Sequence, residues 1–206
     1  MRIPVVPTII VGLAVAAMVA LGIWQLDRAA WKADLLEQYA ANQEMPAMAF
    51  PKVPVLSDNL LYRRARGDCL SVASWSARAG QNQAGESGWR HIGVCRTGDG
   101  KGPGMAVDFG WSKNSADPVG YEGGPVEGFI DTDRDHVYLL VAETPAPGLE
   151  PSARPDPRAV PNNHLAYAGQ WFLFAGVALI IYIVALRRLG TSGRGSSGRQ
   201  PLDGCE

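Results

Sequence analysis

The residues with the clearest potential for chemistry lie in the segment NNHLAYAGQWF, residues 162–172, and just after it. At helical spacing, one histidine and two aromatic side chains share a face with small residues that follow them. The members of this face are His164, Tyr167 or Ala168, Trp171, Ala175 and Ala178. A neutral imidazole is a common axial ligand of haem iron, and small side chains let a flat macrocycle approach a helix closely. The pattern is therefore a shape that a flat ligand such as haem could use, with His164 as the candidate ligand of its iron.

Arg28 is a second candidate residue for the same site. It lies in QLDRAAWK, after a first apolar segment, where its guanidinium could pair with the propionate groups of a porphyrin. A simpler interpretation fits the same residues, because histidine, tyrosine and tryptophan also anchor helices at the boundary between lipid and water. The residues alone leave both interpretations open.

The sequence contains no recognisable catalytic centre. Its three histidines lack the spacing of a zinc site such as HExxH, and there is no GxSxG or phosphate-binding glycine motif. Asp131, Asp133 and Asp135 alternate in a way that fits a turn between two strands. We therefore predict that the protein is not an enzyme and has no catalytic residues.

Two apolar segments determine how the chain is organised. Residues 4–24 and 166–186 contain no Asp, Glu, Lys or Arg, and each is long enough to cross a hydrocarbon layer of about 30 Å. We predict one transmembrane helix over residues 4–24 and a second over residues 164–186. Residues 25–43 lack Gly and Pro, so a juxtamembrane helix should continue the first span.

Basic residues predict the orientation of both helices. Four arginines follow the second apolar segment, as is typical of a cytoplasmic flank. They are Arg187, Arg188, Arg194 and Arg199. Two crossings then place both termini in the cytoplasm, residues 44–163 outside it, and residues 187–206 in a flexible cytoplasmic tail. Cleavage of the first segment as a signal peptide is the alternative.

Charge and the start of the chain bear on partners and location. Residues 25–163 contain 14 Lys and Arg against 18 Asp and Glu, a mildly acidic balance that does not suit a phosphate backbone. We therefore expect a lipid bilayer as a partner and no nucleic acid. The short start led by Arg2 favours the plasma membrane of a bacterium, and hence a periplasmic central domain.

The central domain is predicted to consist of strands. Short segments in which apolar and polar residues alternate are separated by turns rich in Gly, Asn and Asp. Three of them are residues 105–111, 125–130 and 137–142. Their spacing favours a small antiparallel barrel or sandwich. The predicted fold class is therefore α+β, with two transmembrane helices that flank an extracytoplasmic β-rich domain.

Two further strands flank ARAGQNQAGES and are predicted to form a hairpin centred on Asn82. One register would pair Cys69 with Cys95 and Trp75 with Trp89. The opposite, buried face would hold Leu70, Val72, Ile92 and Val94. In an oxidising compartment the two cysteines are expected to form a disulfide. The third cysteine, in the cytoplasmic tail, is Cys205 and should remain a free thiol.

Five short motifs spread over residues 21–188 carry a family resemblance. LGIWQLDRAAWKADLL is similar to the pattern LGxWQxxRxxxK, and NNHLAYAGQWF is similar to NHxxYAxxWF. Between them lie YRRARG, VDFGW and VEGFI. Together these motifs resemble those of the Surfeit-locus cytochrome c oxidase assembly family. The chain departs from the family pattern at Phe109, where the family often has Arg, and the cysteine pair is outside that pattern.

The resemblance implies a factor that assists assembly of the haem-copper terminal oxidase by binding or handing over haem A while the catalytic subunit matures. It implies that the partners are this catalytic subunit and the machinery that synthesises haem A. By motif position, the implied cofactor-binding residues are His164, Tyr167, Trp171, Trp24, Gln25 and Arg28.

Two other classes of function remain open from the sequence. The protein could be a membrane-anchored scaffold that binds the oxidase subunit without binding a cofactor, because no pocket is recognisable from the residues alone. An extracytoplasmic sensor also has two helices around a domain, but the short C-terminal segment contains no signalling module.

Overall fold

The fold is described by a computed structural model of the chain. The described residues are 4–52, 55, 57–98 and 104–192. Two long helices, α1 (Val5–Glu44) and α2 (His164–Ser192), stand before and after a group of strands. Arg194, Arg199 and Cys205, which belong to the predicted tail, lie outside the described residues.

The chain divides into two compact units. The first, here called the helical unit, consists of Met1–Ala33 and Asn162–Glu206. The second, the sheet unit, consists of Asp34–Pro161. Because α1 runs from Val5 to Glu44 without a break, it contributes residues to both units.

Both helices are long and apolar enough to cross a membrane, which fits a two-pass protein. The 40 residues of α1 extend about 60 Å at 1.5 Å each, roughly twice the thickness of the hydrocarbon layer. This helix therefore includes both the first predicted span and the predicted juxtamembrane helix. The second helix begins at His164 and continues to Ser192, beyond Leu186, after which we predicted the tail to begin.

In the part of the chain that the structure describes, seven strands form a single sheet. They are β1 (Met48–Ala49), β2 (Arg64–Cys69), β3 (Ser71–Gln81), β4 (Ser87–Arg96), β5 (Met105–Ser112), β6 (Gly124–Asp133) and β7 (Val137–Ala142). Their order is β1-β2-β6-β7-β5-β4-β3. The β1–β2 and β5–β7 pairs are parallel, whereas the remaining neighbours are antiparallel.

The α+β class with two flanking helices is confirmed, and residues 105–111, 125–130 and 137–142 lie in strands as predicted. The prediction of an antiparallel barrel or sandwich was wrong, because the sheet is mixed and open. The chain leaves β5, forms β6 at a distance, and returns as β7 between the two. Alternation along a strand shows which side chains share a face, but it does not identify the neighbouring strand.

β3 and β4 form a hairpin, but the predicted register was wrong. Trp89 lies opposite Ala79 and not opposite Trp75. The physical reason is the side chain of Asn82, whose Oδ1 accepts hydrogen bonds from the backbone N–H groups of Ala84 and Glu86, at 3.1 and 2.9 Å. Asn82 therefore begins the turn and is not its centre, which shifts every pair along both strands.

Cys69 and Cys95 form a disulfide that is not a cross-strand pair of this hairpin. Cys69 ends β2 and Cys95 lies in β4, and three strands stand between β2 and β4 in the sheet order. Both residues are buried, at 1% and 0% exposure. Beside them, the N–H of Leu70 donates to the carbonyl of Arg96 at 3.0 Å. The bond thus ties the end of β2 to β4 where the chain passes from β2 into β3.

The last turns of α1 are part of the core of the sheet unit. Tyr39 is buried in that core beside Leu61. The side-chain amide of Asn42 donates to the carbonyls of Asn59 and Leu61 at 3.1 and 2.9 Å. Burial, together with the nearby carboxylate of Asp58, raises the pKa of Tyr39 to about 12. The end of α1 is therefore fixed to the strands by both packing and hydrogen bonds.

Phe109, at the position where the resembling family often has Arg, is a core residue. It is 1% exposed, and its ring lies 4.4 Å from that of Tyr121 and 5.2 Å from that of Trp75, measured between centroids. Aromatic packing of this kind stabilises the core beyond the area that it buries. The residue therefore has a structural role in β5 and contributes no charge.

A buried carboxylate connects β3 to the turn between β6 and β7. The side chain of Asp133 is 2% exposed, pairs with Arg78, and accepts a hydrogen bond from Nδ1 of His136 at 2.7 Å. Arg78 also pairs with Asp135, which is exposed. Burial alone would raise the pKa of Asp133, but the hydrogen bonds from His136 and Arg78 outweigh it and hold the pKa below its ordinary value.

We predict that Asp133→Asn destabilises the protein by about 1–3 kcal/mol at pH 7, because charge-assisted hydrogen bonds are lost from a buried site. The folded-state pKa lies below the unfolded value of about 3.9, so the carboxylate stabilises the fold above that pH and ceases to do so as the pH falls through the folded pKa. The difference between wild type and variant should therefore shrink below about pH 4.

The measurement is chemical unfolding of the full-length protein in detergent, followed by tryptophan fluorescence between pH 3 and 7. Asp135→Asn is the matched control, since it removes an exposed partner of the same arginine and should change stability by less than about 1 kcal/mol. Equal losses in the two variants, or a difference that does not depend on pH, would contradict the interpretation.

Candidate cofactor site on the helix pair

In the helical unit, α1 and α2 pack along one stripe of residues on each helix. On α1, less exposed residues recur at steps of three and four: Thr8, Val11, Val15, Met18, Gly22, Gln25 and Ala29. On α2 the corresponding stripe consists of His164, Ala168, Trp171, Ala175, Ala178 and Tyr182. Such heptad spacing is typical of helices that cross at a small angle. The two stripes together are called the seam below.

Small residues let the two helices approach closely. Gly22 is buried in the seam, and a Cβ atom added to it would lie 2.6 Å from Cε1 of Phe172. Ala29, Ala168 and Ala175 are also buried. Because lipid tails are as apolar as these side chains, close packing and interhelical hydrogen bonds are the main interactions that hold such a pair together in a bilayer.

One end of the seam is closed by a hydrogen bond between hydroxyl groups. Thr8 donates its hydroxyl proton to the carbonyl of Pro4 at 2.7 Å, one turn earlier on α1. Its oxygen therefore accepts the hydrogen bond from the hydroxyl of Tyr182. This contact joins the start of α1 to the later part of α2.

The other end of the seam carries the histidine of the predicted site. Nδ1 of His164 lies 2.8 Å from Oε1 of Gln25, and the side-chain amide of Asn162 donates to the carbonyl of Ala29 at 3.2 Å. Thr8 and Gln25 are about 26 Å apart along the helix, close to the thickness of the hydrocarbon layer. The two sets of polar contacts are thus spaced to lie near the two edges of a bilayer.

The hydrogen bond to Gln25 determines which nitrogen of His164 could bind a metal. Oε1 is a carbonyl oxygen and has only lone pairs, so Nδ1 must carry the proton. In the neutral ring, Nε2 then keeps its lone pair. His164 is half-buried and so keeps some contact with its surroundings. The arrangement therefore provides one nitrogen ligand whose orientation is fixed.

The other predicted residues lie near this histidine in the fold but do not all face it. Trp24 and Tyr167 are exposed. The guanidinium of Arg28 lies over the ring of Trp31, 4.0 Å from its centroid. Trp171 is half-buried in the seam and meets Phe174 edge to face. Of the six predicted residues, the structure thus joins only His164 and Gln25 by a hydrogen bond among the contacts within the described helices.

Helical periodicity shows that the remaining residues share one side of the helix pair. At ~100° per residue, Trp24 and Arg28 fall to one side of the α1 stripe. Since α2 runs antiparallel, Tyr167 falls to that same side, while Phe172 contacts Gly22 on the other. The exposed side that carries Trp24, Arg28 and Tyr167 is called the aromatic flank below.

The donor set suits a metal that is already held by an organic ligand. Within residues 4–52, 55, 57–98 and 104–192, no three His, Cys, Asp or Glu side chains are grouped so that they could hold a metal ion. His164 offers one nitrogen, which fits an axial position on a macrocycle better than the several ligands of a bare ion. An exposed aromatic flank is also compatible with a flat ring system.

A comparison with protein-family models decides the family. The model of the SURF1 family matches residues 12–176, well over half of the chain. The chain belongs to the SURF1 family. This family is known for the assembly of cytochrome oxidase and is a family of assembly factors, not of catalysts. No curated protein matches the chain significantly.

The range matched by the SURF1-family model extends from one helix of the pair to the other. It begins within α1 and ends within α2, and it includes all six residues that the sequence predicted for the site. The resemblance inferred from five short motifs is therefore confirmed at the level of the family. The roles of the individual residues remain predictions.

Several residues of the seam were missed by the sequence interpretation. The contact between Thr8 and Tyr182 was not predicted, because each is a single polar residue in an apolar segment. Asn162 was read only as part of a motif, although its Oδ1 is buried and has no hydrogen-bond partner within the described part of the chain. The signal that could have found Thr8 and Tyr182 is heptad spacing, since both continue the two stripes of the seam.

A cleft in the sheet unit was also missed. It has a volume of about 770 Å³, and Met48, Phe109, Tyr121, Pro125 and Pro145 are among its lining residues. The hydroxyl of Tyr121 is buried, and no described residue forms a hydrogen bond with it. Burial raises the pKa of this hydroxyl. No local pattern could have predicted the cleft, because its residues come from separate strands and loops.

We predict that Gly22→Ala weakens the helix pair by about 1–3 kcal/mol, because the new methyl group would overlap the ring of Phe172. The measurement is thermal unfolding of the full-length protein in detergent. Gly12→Ala is the matched control, since a Cβ there meets no atom within 4 Å. A second change, Phe172→Leu, should recover part of the loss. Equal unfolding temperatures for the two alanine variants would show that the close approach at Gly22 contributes nothing.

Proposed function

We propose that this protein helps to build cytochrome c oxidase by holding haem A at the aromatic flank and handing it to the catalytic subunit during maturation. The observation that carries the cofactor part of the proposal is the hydrogen bond between Nδ1 of His164 and Oε1 of Gln25. It leaves Nε2 as an oriented, unprotonated nitrogen on a half-buried ring, as an axial ligand requires. Bound haem A would supply the iron and the ring, and His164 would supply the ligand.

The residues around His164 support an orientation for such a ligand. Arg28 lies one turn of α1 beyond Gln25, at the end of the seam opposite to Thr8, and its guanidinium is exposed. It can meet propionate groups in the water-facing layer. Tyr167 and Trp171 lie one and two turns into α2 from His164, where they can cover the apolar part of the ring. Trp24 completes the same flank.

The partners that we propose follow from this chemistry. A carrier needs a source of the cofactor, which would be the machinery that synthesises haem A. It also needs a recipient, which would be the catalytic subunit of the oxidase. The family is associated with oxidase assembly, which supports the class of recipient.

We predict that His164→Ala abolishes haem A binding. Purified from detergent-solubilised membranes of cells that synthesise haem A, the wild type should carry haem detectable by its absorption spectrum, and the variant should carry less than about one tenth as much, since the only proposed protein ligand to the iron is lost. His136→Ala is the matched control, because it removes a histidine of the sheet unit that binds Asp133. Its haem content should equal that of wild type.

Oxidase activity in cells that lack this gene gives a second readout. Complementation by His164→Ala should leave haem content and activity of the oxidase low, whereas His136→Ala should restore both. If wild type and His164→Ala carry the same haem, or if neither carries any, the ligand assignment is wrong. Full complementation by His164→Ala would then support a scaffold that binds the oxidase subunit without the cofactor.

We also propose that the sheet unit lies outside the cytoplasm and that both termini lie inside it. The disulfide between Cys69 and Cys95 supports this orientation, because stable disulfides form in oxidising compartments. Arg187 and Arg188, which follow the second span, support a cytoplasmic position for the end of α2.

Cysteine labelling tests the orientation, since the chain has only three cysteines. A membrane-impermeant maleimide should not label intact cells, and should label Cys205 once the cells are permeabilised. Cys69 and Cys95 should react only after denaturation and reduction, because both are buried and bonded. A Cys205→Ser variant is the control and should abolish the permeabilised signal. Labelling of Cys205 in intact cells would reverse the orientation.

A further inference from the structure

We propose that Gln25 is a positioning residue that sets the tautomer of His164 and thereby presents Nε2 to the iron. The inference rests on the proposed binding of haem A, and it assigns to Gln25 a role distinct from contact with the cofactor. Oε1 of Gln25 lies 2.8 Å from Nδ1 of His164, on the facing helix. The two residues are 139 positions apart in the chain, so only the packing of the helices brings them together.

The ordinary preference of a histidine side chain explains why this acceptor is needed. His164 is the first residue of α2. A neutral histidine in water prefers its proton on Nε2. Without Gln25, that preference would place the proton on the nitrogen that the iron requires.

The surroundings of Gln25 fix the position of its helix against α2. Gly22 and Ala29, one turn away on either side, are buried in the seam and allow α2 to come close. Asn162, two residues before α2, donates a hydrogen bond from its side-chain amide to the carbonyl of Ala29 at 3.2 Å. Gln25 therefore reaches His164 from a helix whose position is already determined. Near lipid, where water competes less, a hydrogen bond of this kind is stronger than on an open surface.

The type of side chain also matters. A carboxylate at this position would accept the same hydrogen bond, but it would add a charge at the edge of the bilayer and make the imidazole a stronger donor to iron. The amide oxygen of glutamine is a neutral acceptor. It fixes the tautomer while leaving the bond to iron weaker, which suits a cofactor that must be passed on.

The first experiment measures the tautomer without any cofactor. Full-length protein with 15N-labelled histidine is studied by NMR in detergent, and His164 is assigned by comparison with His164→Ala. We expect the Nδ1–H tautomer in wild type and a shift to Nε2–H in Gln25→Leu. Gln170→Leu is the matched control, since Gln170 is an exposed glutamine of α2, and it should leave the spectrum unchanged. An Nε2–H tautomer in wild type, or no shift in Gln25→Leu, overturns the inference.

The second experiment titrates haem A into the purified, haem-free variants. Loss of a hydrogen-bond partner behind a metal ligand typically weakens metal affinity by about 10–100-fold, so Gln25→Leu should bind haem A more weakly by that factor. Gln25→Glu restores the acceptor and should bind at least as tightly as wild type. Equal affinity of wild type and Gln25→Leu would contradict a role in presenting Nε2.

The two experiments separate this inference from the proposed function. If wild type binds no haem A but Gln25→Leu changes the tautomer, the cofactor proposal fails. Gln25 would then still set the tautomer of His164, but it would not present Nε2 to iron. If wild type binds haem A through His164 and Gln25→Leu changes neither tautomer nor affinity, the cofactor proposal stands and the role of Gln25 fails. Should Gln25→Leu not fold, the wild-type tautomer and the affinity of Gln25→Glu still decide the matter.

Discussion

A polar side chain that enters the hydrocarbon layer must find its hydrogen-bond partner within the protein, and this constraint organises the helical unit. Tyr182 meets Thr8 at one end of the seam, and His164 meets Gln25 at the other. Each contact joins one position on α1 to one position on α2. If either helix slid by a turn, both contacts would be lost together. The position and orientation of His164 are therefore consequences of the same hydrogen bonds that fix the register of the helices.

The sheet unit, in contrast, is stabilised by a covalent bond between distant strands. Its sheet is open, so among the described residues no strand pairing joins the first strands in the order to the last. Cys69 and Cys95 connect them at the corner where Leu70 alone separates β2 from β3. In the chain-entropy model, closing a loop of this length restricts the unfolded chain by about 3–4 kcal/mol. The disulfide thus stabilises the unit at a place where the described strands form no ladder.

The sequence could predict elements and candidate residues, but not the contacts between distant segments. Apolar length located both helices, and alternation located β5, β6 and β7, because these signals are local. The hairpin register depended on the side chain of Asn82 and on an irregularity between Val72 and Ser74, neither of which alternation reports. Motif resemblance selected Gln25 and His164 separately. Their hydrogen bond depends on how two helices pack, so it could be seen only in the fold.

The haem site that we propose around His164 fits a carrier better than a permanent haem protein. A resident haem is held in a pocket whose axial ligands, polarity and hydrogen bonds tune the iron. At the proposed site one histidine is available as a ligand, and its Nδ1 is hydrogen-bonded to the neutral side-chain amide of Gln25. The side chains of the aromatic flank, Trp24, Arg28 and Tyr167, are exposed. Haem A bound there would be held by His164 beside side chains that are exposed in the structure. A recipient that offers more ligands and a closed pocket would bind the same ring more tightly, so that transfer would follow from the difference in affinity alone. The exposed flank and the single ligand are therefore the features that would let haem A leave.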